Sequence, residues 1–454
     1  MQNEPTSLRV KDPGIRILFS DESRLQSWLD VEAALAQAQA SLGIIPNDAA
    51  KEITSKAKLR FLNMGAIQRG LKHTGHQLVP LIWELDRICD GEAGGYVHWG
   101  ATTQNITQTG RILILKRVHN IILGQLADLL DITADLAELT KEYFLPGRTH
   151  GQHAVPITFG FKVAVWIDEI SNHVMRFSEC EKRLFLVMLG GATGTAASLG
   201  DTGLSTQDEM AELLGMHSMK IPARTMSDHL AEYVSLLGML SATAGKIGRE
   251  LYTLMKQEFG ELEEPVPEGT VGSSTMPQKR NPKLAQDIIA GAAIVRSLVP
   301  LAFEAMLTEH EADRTTSIMM NRAIEEACIT TGDILQRLVS LFSGIKVFPD
   351  RMRRNLELSD GLIMAESVML DLGKLIGRQK AHDIVYDCAQ TAFLKGKPFR
   401  NVLSANNEVS SHLTPDDIDR LLNPSNHIGV CIQLAETHAA NARTVSSRLR
   451  GRLI

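Results

Sequence analysis

Thr270-Val-Gly-Ser-Ser-Thr-Met-Pro-Gln-Lys-Arg-Asn-Pro282 is the stretch of this chain best supplied with groups that could handle charge. Its first half reads as a loop: Gly269 and Gly272 allow backbone angles closed to other residues, and Ser273, Ser274 and Thr275 add hydroxyls. Its second half starts a helix, with Asn281 suited to the N-cap, Pro282 to the first helical position and an apolar-periodic run from Leu284. Lys279 and Arg280 precede that N-terminus. Cation, free amide N–H groups and helix dipole then converge on one spot, where a carboxylate would bind. Without that convergence, the stretch is a basic, glycine-containing connector between two helices.

Three more segments carry polar side chains that chemistry could use. In Lys72-His-Thr-Gly-His-Gln-Leu-Val-Pro80, His76 follows Gly75 and precedes an apolar run, so it can point from a helix start into a cleft; His73 reads as a surface or satisfied residue. His98-Trp-Gly-Ala-Thr-Thr-Gln-Asn105 is small, hydroxyl-rich and amide-rich, just ahead of a long helix. Thr103 or Asn105 can cap that helix, while Thr102, Thr103 and Gln104 can donate to carboxylates, and both roles can hold together. Gly147-Arg-Thr-His-Gly-Gln-His-Ala-Val-Pro156 holds two histidines, but no third ligand of suitable spacing is near, so no metal is implied and His153 reads as structural. Gly190-Gly191-Ala-Thr-Gly194 and Gly200-Asp-Thr-Gly203 lack both the preceding strand and the spacing of a dinucleotide cradle, and read as turns or as a loop lining a site.

The elements that must position these groups are helices. Residues 1–15 read as a loose arm. Helical spacing then runs from Asp21 to near Gly43, and Pro46 opens a short helix. Proline-free or nearly proline-free helical runs follow at about Thr107–Glu142, Thr158–Val187, Asp228–Leu262, Lys283–His310 (with Pro300 as a kink) and Thr316–Ser343. In the first of these, Ile112, Leu115, Val118, Ile122, Leu126, Leu129 and Leu136 share a face. Helices of roughly 30 residues reach about 45 Å. Apolar positions wrap more than half way round some of them, so they want partners on several sides, in a bundle and from other subunits. The domains expected are residues 1–106, 107–349 and 350–454, all helical.

Composition agrees with that class. The 454 residues are 44% hydrophobic, 22% charged and only 5% aromatic, a balance that favours helix in a globular protein. A net charge of −6 without a polybasic run gives no case for nucleic acid. Five scattered cysteines fit a reduced, cytoplasmic compartment. The polar N-terminus shows no secretion signal, and no stretch of eighteen apolar residues occurs to span a membrane.

The Gly272–Pro282 stretch resembles the signature loop of the fumarase/aspartase superfamily, and the His98 and Gly147 segments match the same superfamily in order. The resemblance covers nearly the whole chain. It implies an all-α, three-domain fold whose long helices form one bundle in a homotetramer, with each active site built from three chains. His150, the Thr102–Gln104 region and the Ser273 loop would then come from different protomers. It implies Ser273 as the base and His150 and His76 as residues of proton transfer, Gln77 standing where adenylosuccinate lyases carry Asp. Substrate contacts are implied for His98, Thr102, Thr103, Gln104, Thr149, Ser274, Met276, Lys279 and Asn281. No cofactor or metal is implied, and loop 265–275 is a lid.

The reaction implied is loss of the Cβ proton of a succinyl unit, then of the group on Cα, releasing fumarate through an aci-carboxylate. That dianion needs fixed cationic and N–H donors. Serine needs strong stabilisation of its alkoxide to serve as base. Within the superfamily the chain departs from adenylosuccinate lyases, since Met319-Met320 occupy the polar phosphate-binding region and the early Arg-Tyr pair is missing. The Leu18–Asp30 run and the His310–Arg322 segment look like 3-carboxy-cis,cis-muconate cycloisomerase. Bacterial cycloisomerases of that type, however, have tryptophan where this chain has His150, and Thr225-Met-Ser-Asp228 replaces their usual Thr-Gln-Arg-Asp. The reading is a lyase releasing fumarate from an N-substituted aspartate of iminodisuccinate type. The alternatives are a cycloisomerase, an adenylosuccinate lyase and an inactive scaffold. Met226, Met319 and Arg322 are expected to shape the pocket.

Overall fold

The computed structural model describes residues 5–453. It is all-α: eighteen α-helices are joined by short 3-10 turns and three two-stranded sheets among the described residues. The long helices are Thr103–Leu139, Phe159–Leu184, Asp228–Leu254, Lys283–Glu304 and Arg314–Ser343. Each starts or stops within a few residues of the periodicity limits, except that the third ends at Leu254. There the chain turns through Gly260, in the left-handed region, into a short strand at Leu262–Glu263. The fourth helix runs through Pro300 to Glu304.

By its contacts the chain forms two compact units. Among the described residues the first holds 5–125, 173–245 and 290–336, and the second 126–172, 246–289 and 337–453.

In the first unit, helix Asp21–Ser41 starts on Ser20, whose hydroxyl accepts from the Ser23 N–H. It buries Trp28, Leu29, Val31 and Leu35. Gly110 on the Thr103 helix has no side chain to collide with Trp28, so the two helices approach closely there. Ile112, Leu115, Val118 and Ile122 are all fully buried, each contributing about 2 kcal/mol. Buried Ile114 and Leu123 lie off that stripe, so burial extends round the helix. The arm expected over residues 1–15 is not loose at its end. Ile15 is fully buried against Gly332, and Arg16 pairs with Asp333 at 3.4 Å; residues 1–4 lie outside the described residues. His173 and His229 are buried in this unit, and exclusion of water pushes both down to about 4.

The second unit carries the hairpin Phe144–Thr149 with Gln152–Thr158, antiparallel, with Thr149 opposite Gln152 and a bulge between Pro146 and Arg148. After Pro349 shorter helices gather a core of their own around Val368, Leu372, Phe399, Leu403 and Ile418. All five cysteines are free. One helix, Lys283–Glu304, is apolar and long enough by composition to cross a membrane (mean hydropathy 1.5), and its periodic Ala285, Ile288, Ala292 and Val295 are fully buried in the protein.

Candidate active site

In the first unit the small, amide-rich segment sits on the N-terminus of the Thr103–Leu139 helix. Asn105 Oδ1 accepts from the Thr102 N–H at 3.0 Å, a reverse cap, and from the Gly191 N–H at 3.1 Å. The capping residue is therefore Asn105, from inside the first turn. The Gly190–Gly194 loop is a turn, and none of its residues is in the wall of the cavity described below. Gln104 is oriented from both ends: its Nε2 donates to Gln108 (3.0 Å) and to the Arg224 carbonyl (2.9 Å), and its Oε1 accepts from Arg224 Nε (2.9 Å).

His98 adopts a left-handed backbone (φ 62°), and its Nδ1 lies 2.7 Å from Glu32, a carboxylate buried on the Asp21 helix. His76 is placed by Gly75, which ends one helix in the left-handed region, so that its ring lies over the start of helix Val79–Ile88. Nδ1 of His76 accepts from the Leu78 and Val79 N–H groups at 3.3 and 3.2 Å, which leaves the proton of the neutral ring on Nε2, 3.4 Å from Thr103 Oγ.

Of these residues Thr103 and Gln104 line a cavity of about 530 Å³, whereas His76, His98 and Asn105 lie outside its wall. Gln77, Thr103, Gln104, Thr107 and Gln108 line it, together with Arg24, Arg111, Arg224 and Arg314. Met226, Met319 and Arg322, expected from sequence to shape the pocket, are not in its wall; Arg322 pairs with Glu326 at 2.8 Å, and Ile318 and Asn321 take their place.

In the second unit His150 and Gly151 form the tip of the hairpin, with φ of 53° and 77°. A turn of this two-residue kind needs both residues left-handed, so the histidine is held in a strained conformation at an exposed tip. Below it Arg148 forms a two-pronged pair with buried Glu261, which also accepts from Asn355 at 2.7 Å, and the guanidinium lies 4.9 Å from the Phe259 ring centre. Thr149 is exposed beside His150, whereas His153 is half-buried and lowered by desolvation and by Arg148.

The Ser273 loop closes on itself. Asn281 Nδ2 donates to the Gly272 carbonyl (2.8 Å) and Lys283 Nζ to that of Val271 (3.0 Å). A β-carbon on Gly272 would overlap the Lys279 carbonyl oxygen, so only glycine lets the loop shut. Ser273 Oγ accepts from the Met276 N–H at 3.1 Å and the Thr275 N–H at 3.3 Å. Two amides aimed at one hydroxyl oxygen favour its anionic form, which is what a serine base requires. Ser274, Met276 and Lys279 are exposed along the same loop.

The helix that follows does not offer the anion site its sequence suggested. The Leu284 and Ala285 N–H groups at its N-terminus donate to Glu264 at 3.1 and 3.2 Å, so the protein's own buried carboxylate fills the site. Burial raises the pKa of Glu264 and the amide donors oppose that rise. Asn281 is not the N-cap, because its side chain is committed to the loop. Arg280 is likewise engaged, with Glu263 at 2.9 Å.

Within the first unit the structure thus joins His76 to Thr103 and sets Gln104 beside them on the cavity wall; His98 packs on Glu32. Within the second it presents His150 on a turn and Ser273 in a loop, and no hydrogen bond joins those two among the described residues. Sequence reading missed Glu32, Glu261, Glu264, Arg24, Arg111 and Arg224. A lone arginine ahead of the apolar run Ile112–Leu115 was the one visible signal among them.

Residues 7–296 match the family model described as Lyase, and residues 361–437 match the model for the adenylosuccinate lyase C-terminus. The chain is 38% identical to adenylosuccinate lyase of Methanocaldococcus jannaschii, over 96% of this chain and 95% of that one. It is 38% identical to N-acetyl-S-(2-succino)cysteine lyase of Dickeya dadantii, over 92% of each. The crystal structure of 3-carboxy-cis,cis-muconate lactonizing enzyme from Pseudomonas putida superposes with a TM-score of 0.87 at 34% identity, covering 99% of this chain and 100% of that one. With the fold, the loop and these matches in hand, the chain belongs to the lyase family of the fumarase/aspartase superfamily, in the branch shared by adenylosuccinate lyases and muconate cycloisomerases.

Proposed function

We propose that this protein is a fumarate-releasing lyase acting on an N-substituted aspartate. Ser273 removes the Cβ proton, the C–N bond breaks with its electron pair going to nitrogen, and an acid protonates that nitrogen to give fumarate and an amine. The observation that carries the reading is the pair of backbone N–H groups on Ser273 Oγ. His150, whose ring makes no hydrogen bond among the described residues, is the proton carrier. His76, whose Nδ1 is committed to a helix start, is a neutral Nε2–H donor. Thr102, Thr103 and Gln104 hold succinyl carboxylates, helped by His98, Thr149, Ser274, Met276 and Lys279, and Asn281 keeps the loop shut. Loop 265–275 serves as lid.

Exposed apolar side chains on the long helices, among them Val165, Met175, Met239, Ile294 and Phe303, support assembly into a homotetramer in which neighbouring chains complete each site. Fumarate followed by NMR from adenylosuccinate, argininosuccinate, iminodisuccinate and aspartate tests the reading, with 3-carboxymuconate followed separately for lactone. Fumarate from iminodisuccinate or another N-linked adduct, lost in Ser273→Ala, is the expected result, and lactone alone would make the protein a cycloisomerase. A second reading, cleavage of a C–S bond in an S-succinylated thiol, is favoured by the Dickeya dadantii relative. S-(2-succino)cysteine added to the panel separates the two.

A further inference from the structure

The first unit's cavity continues well beyond the residues that would hold a succinyl group. Thr103, Thr107, Arg111 and Ile114 recur at helical spacing along one face of the Thr103–Leu139 helix, and all four line it. From Thr103 to Arg111 is two turns and more, about 12 Å. Four arginines face two carboxylates, Asp313 and Glu325, and Asp313 is already taken up by Thr315 at the start of its helix.

The arginines are not equivalent. Arg224 is engaged with Gln104 and the Ala192 carbonyl, and Arg24 with Asp21. Arg111 is half-buried, close to Arg24 and to buried His229, and makes no hydrogen bond or ion pair among the described residues. Loss of water around its guanidinium and repulsion from Arg24 lower its pKa to about 10. Withdrawing a cation from water without a counterion is unfavourable, and an anionic ligand reverses that.

We infer that Arg111, with Arg24 beside it, receives an anionic group on the leaving part of the substrate, so that the substrate class is a succinyl adduct of a carboxylate- or phosphate-bearing nucleophile and not of a neutral one. This rests on the lyase reading above. It makes Arg111 a specificity residue at the far end of the cavity from Thr103 and Gln104.

The test compares aspartates of similar size: N-(carboxymethyl)aspartate, iminodisuccinate, N-(2-phosphonooxyethyl)aspartate and neutral N-propylaspartate, with fumarate release giving kcat/KM. The charged adducts should exceed the neutral one by roughly 10- to 100-fold, mainly through KM. Arg111→Met, of similar length and checked by circular dichroism, should erase that preference while leaving N-propylaspartate turnover in place. Arg24→Gln, on an exposed side chain, should reduce it in part. The better of the carboxylate and phosphate adducts identifies the anion. Equal use of charged and neutral adducts, or a preference unchanged in Arg111→Met, would overturn the inference while the lyase stands. Should no adduct yield fumarate, the lyase reading fails, and calorimetric binding of the same compounds to wild type and Arg111→Met still decides the anion site. Tighter binding of charged adducts, lost in the variant, supports the site; equal binding sinks it.

Discussion

The two faces that bear functional groups are built in opposite ways. On the first unit, each polar side chain is held by another side chain or a helix end: Gln104 by Arg224, His98 by buried Glu32, His76 by two amides of a helix start. On the second, Ser273 and His150 sit on turns, and the Ser273 loop is shut by side chains bonding backbone carbonyls near its own ends. Side chains with locked rotamers suit the recognition of a fixed carboxylate. A loop whose bonds are mostly its own can shift its hydroxyl without disturbing a core, which suits a group that must take a proton and then let product leave. The proposed roles follow that difference in part, with the base on a turn and most of the carboxylate-binding amides and hydroxyls on the helical face.

The sharpest way to break that division is Ser273→Ala, expected to lower kcat by about a thousandfold in a fumarate assay while substrate binding measured by calorimetry changes little. If kcat survives, the turns do not hold the base. Acid probes the buried core of the first unit. His173 and His229 have folded pKa values near 4 against an ordinary 6.5, so between those limits the unfolded chain binds more protons, and stability is lost as pH falls from about 6.5 to about 4. Each ring accounts for up to about 3 kcal/mol. Urea titrations across that window should show the loss, and His173→Gln, which keeps a partner for Thr243, should remove about half of it.

Gly272→Ala examines how the loop is closed. Its new β-carbon meets the Lys279 carbonyl, so kcat should fall by about a hundredfold with the helical spectrum unchanged. The smallest effect is expected at Gln104→Ala, where loss of one oriented amide should raise KM by about tenfold with kcat less affected. A larger fall in kcat than in affinity would move Gln104 from binding to chemistry.

Much of this was legible in the chain before any coordinates. Helical periodicity from Ile112 to Leu136 located a long buried helix to within a few residues, because burial on a helix imposes a spacing that composition cannot disguise. Gly272 was legible as a loop glycine, whereas Ser273 stood out only through the resemblance of its stretch to a known signature, and Asn281 read as a helix cap although its side chain closes the loop. Other features had no local signature. Glu264 caps a helix that begins nineteen residues later, Glu32 meets His98 across sixty-six residues, and Glu261 meets Arg148 across 113. In sequence each is one acid among many. The hairpin was hidden as well, since its tip needs a left-handed histidine, a conformation that no composition announces.

Local spacing therefore determined the helical class, which depends on neighbours within a few turns, and resemblance of the Gly272–Pro282 stretch to a known signature pointed to the superfamily and the serine loop. Only the tertiary structure decided that the helix N-terminus after the loop is occupied by the protein's own carboxylate, and that Arg111 faces a cavity without a partner. Those outcomes depend on which distant charges meet in a site from which water has been withdrawn, and a linear order of residues carries no record of that.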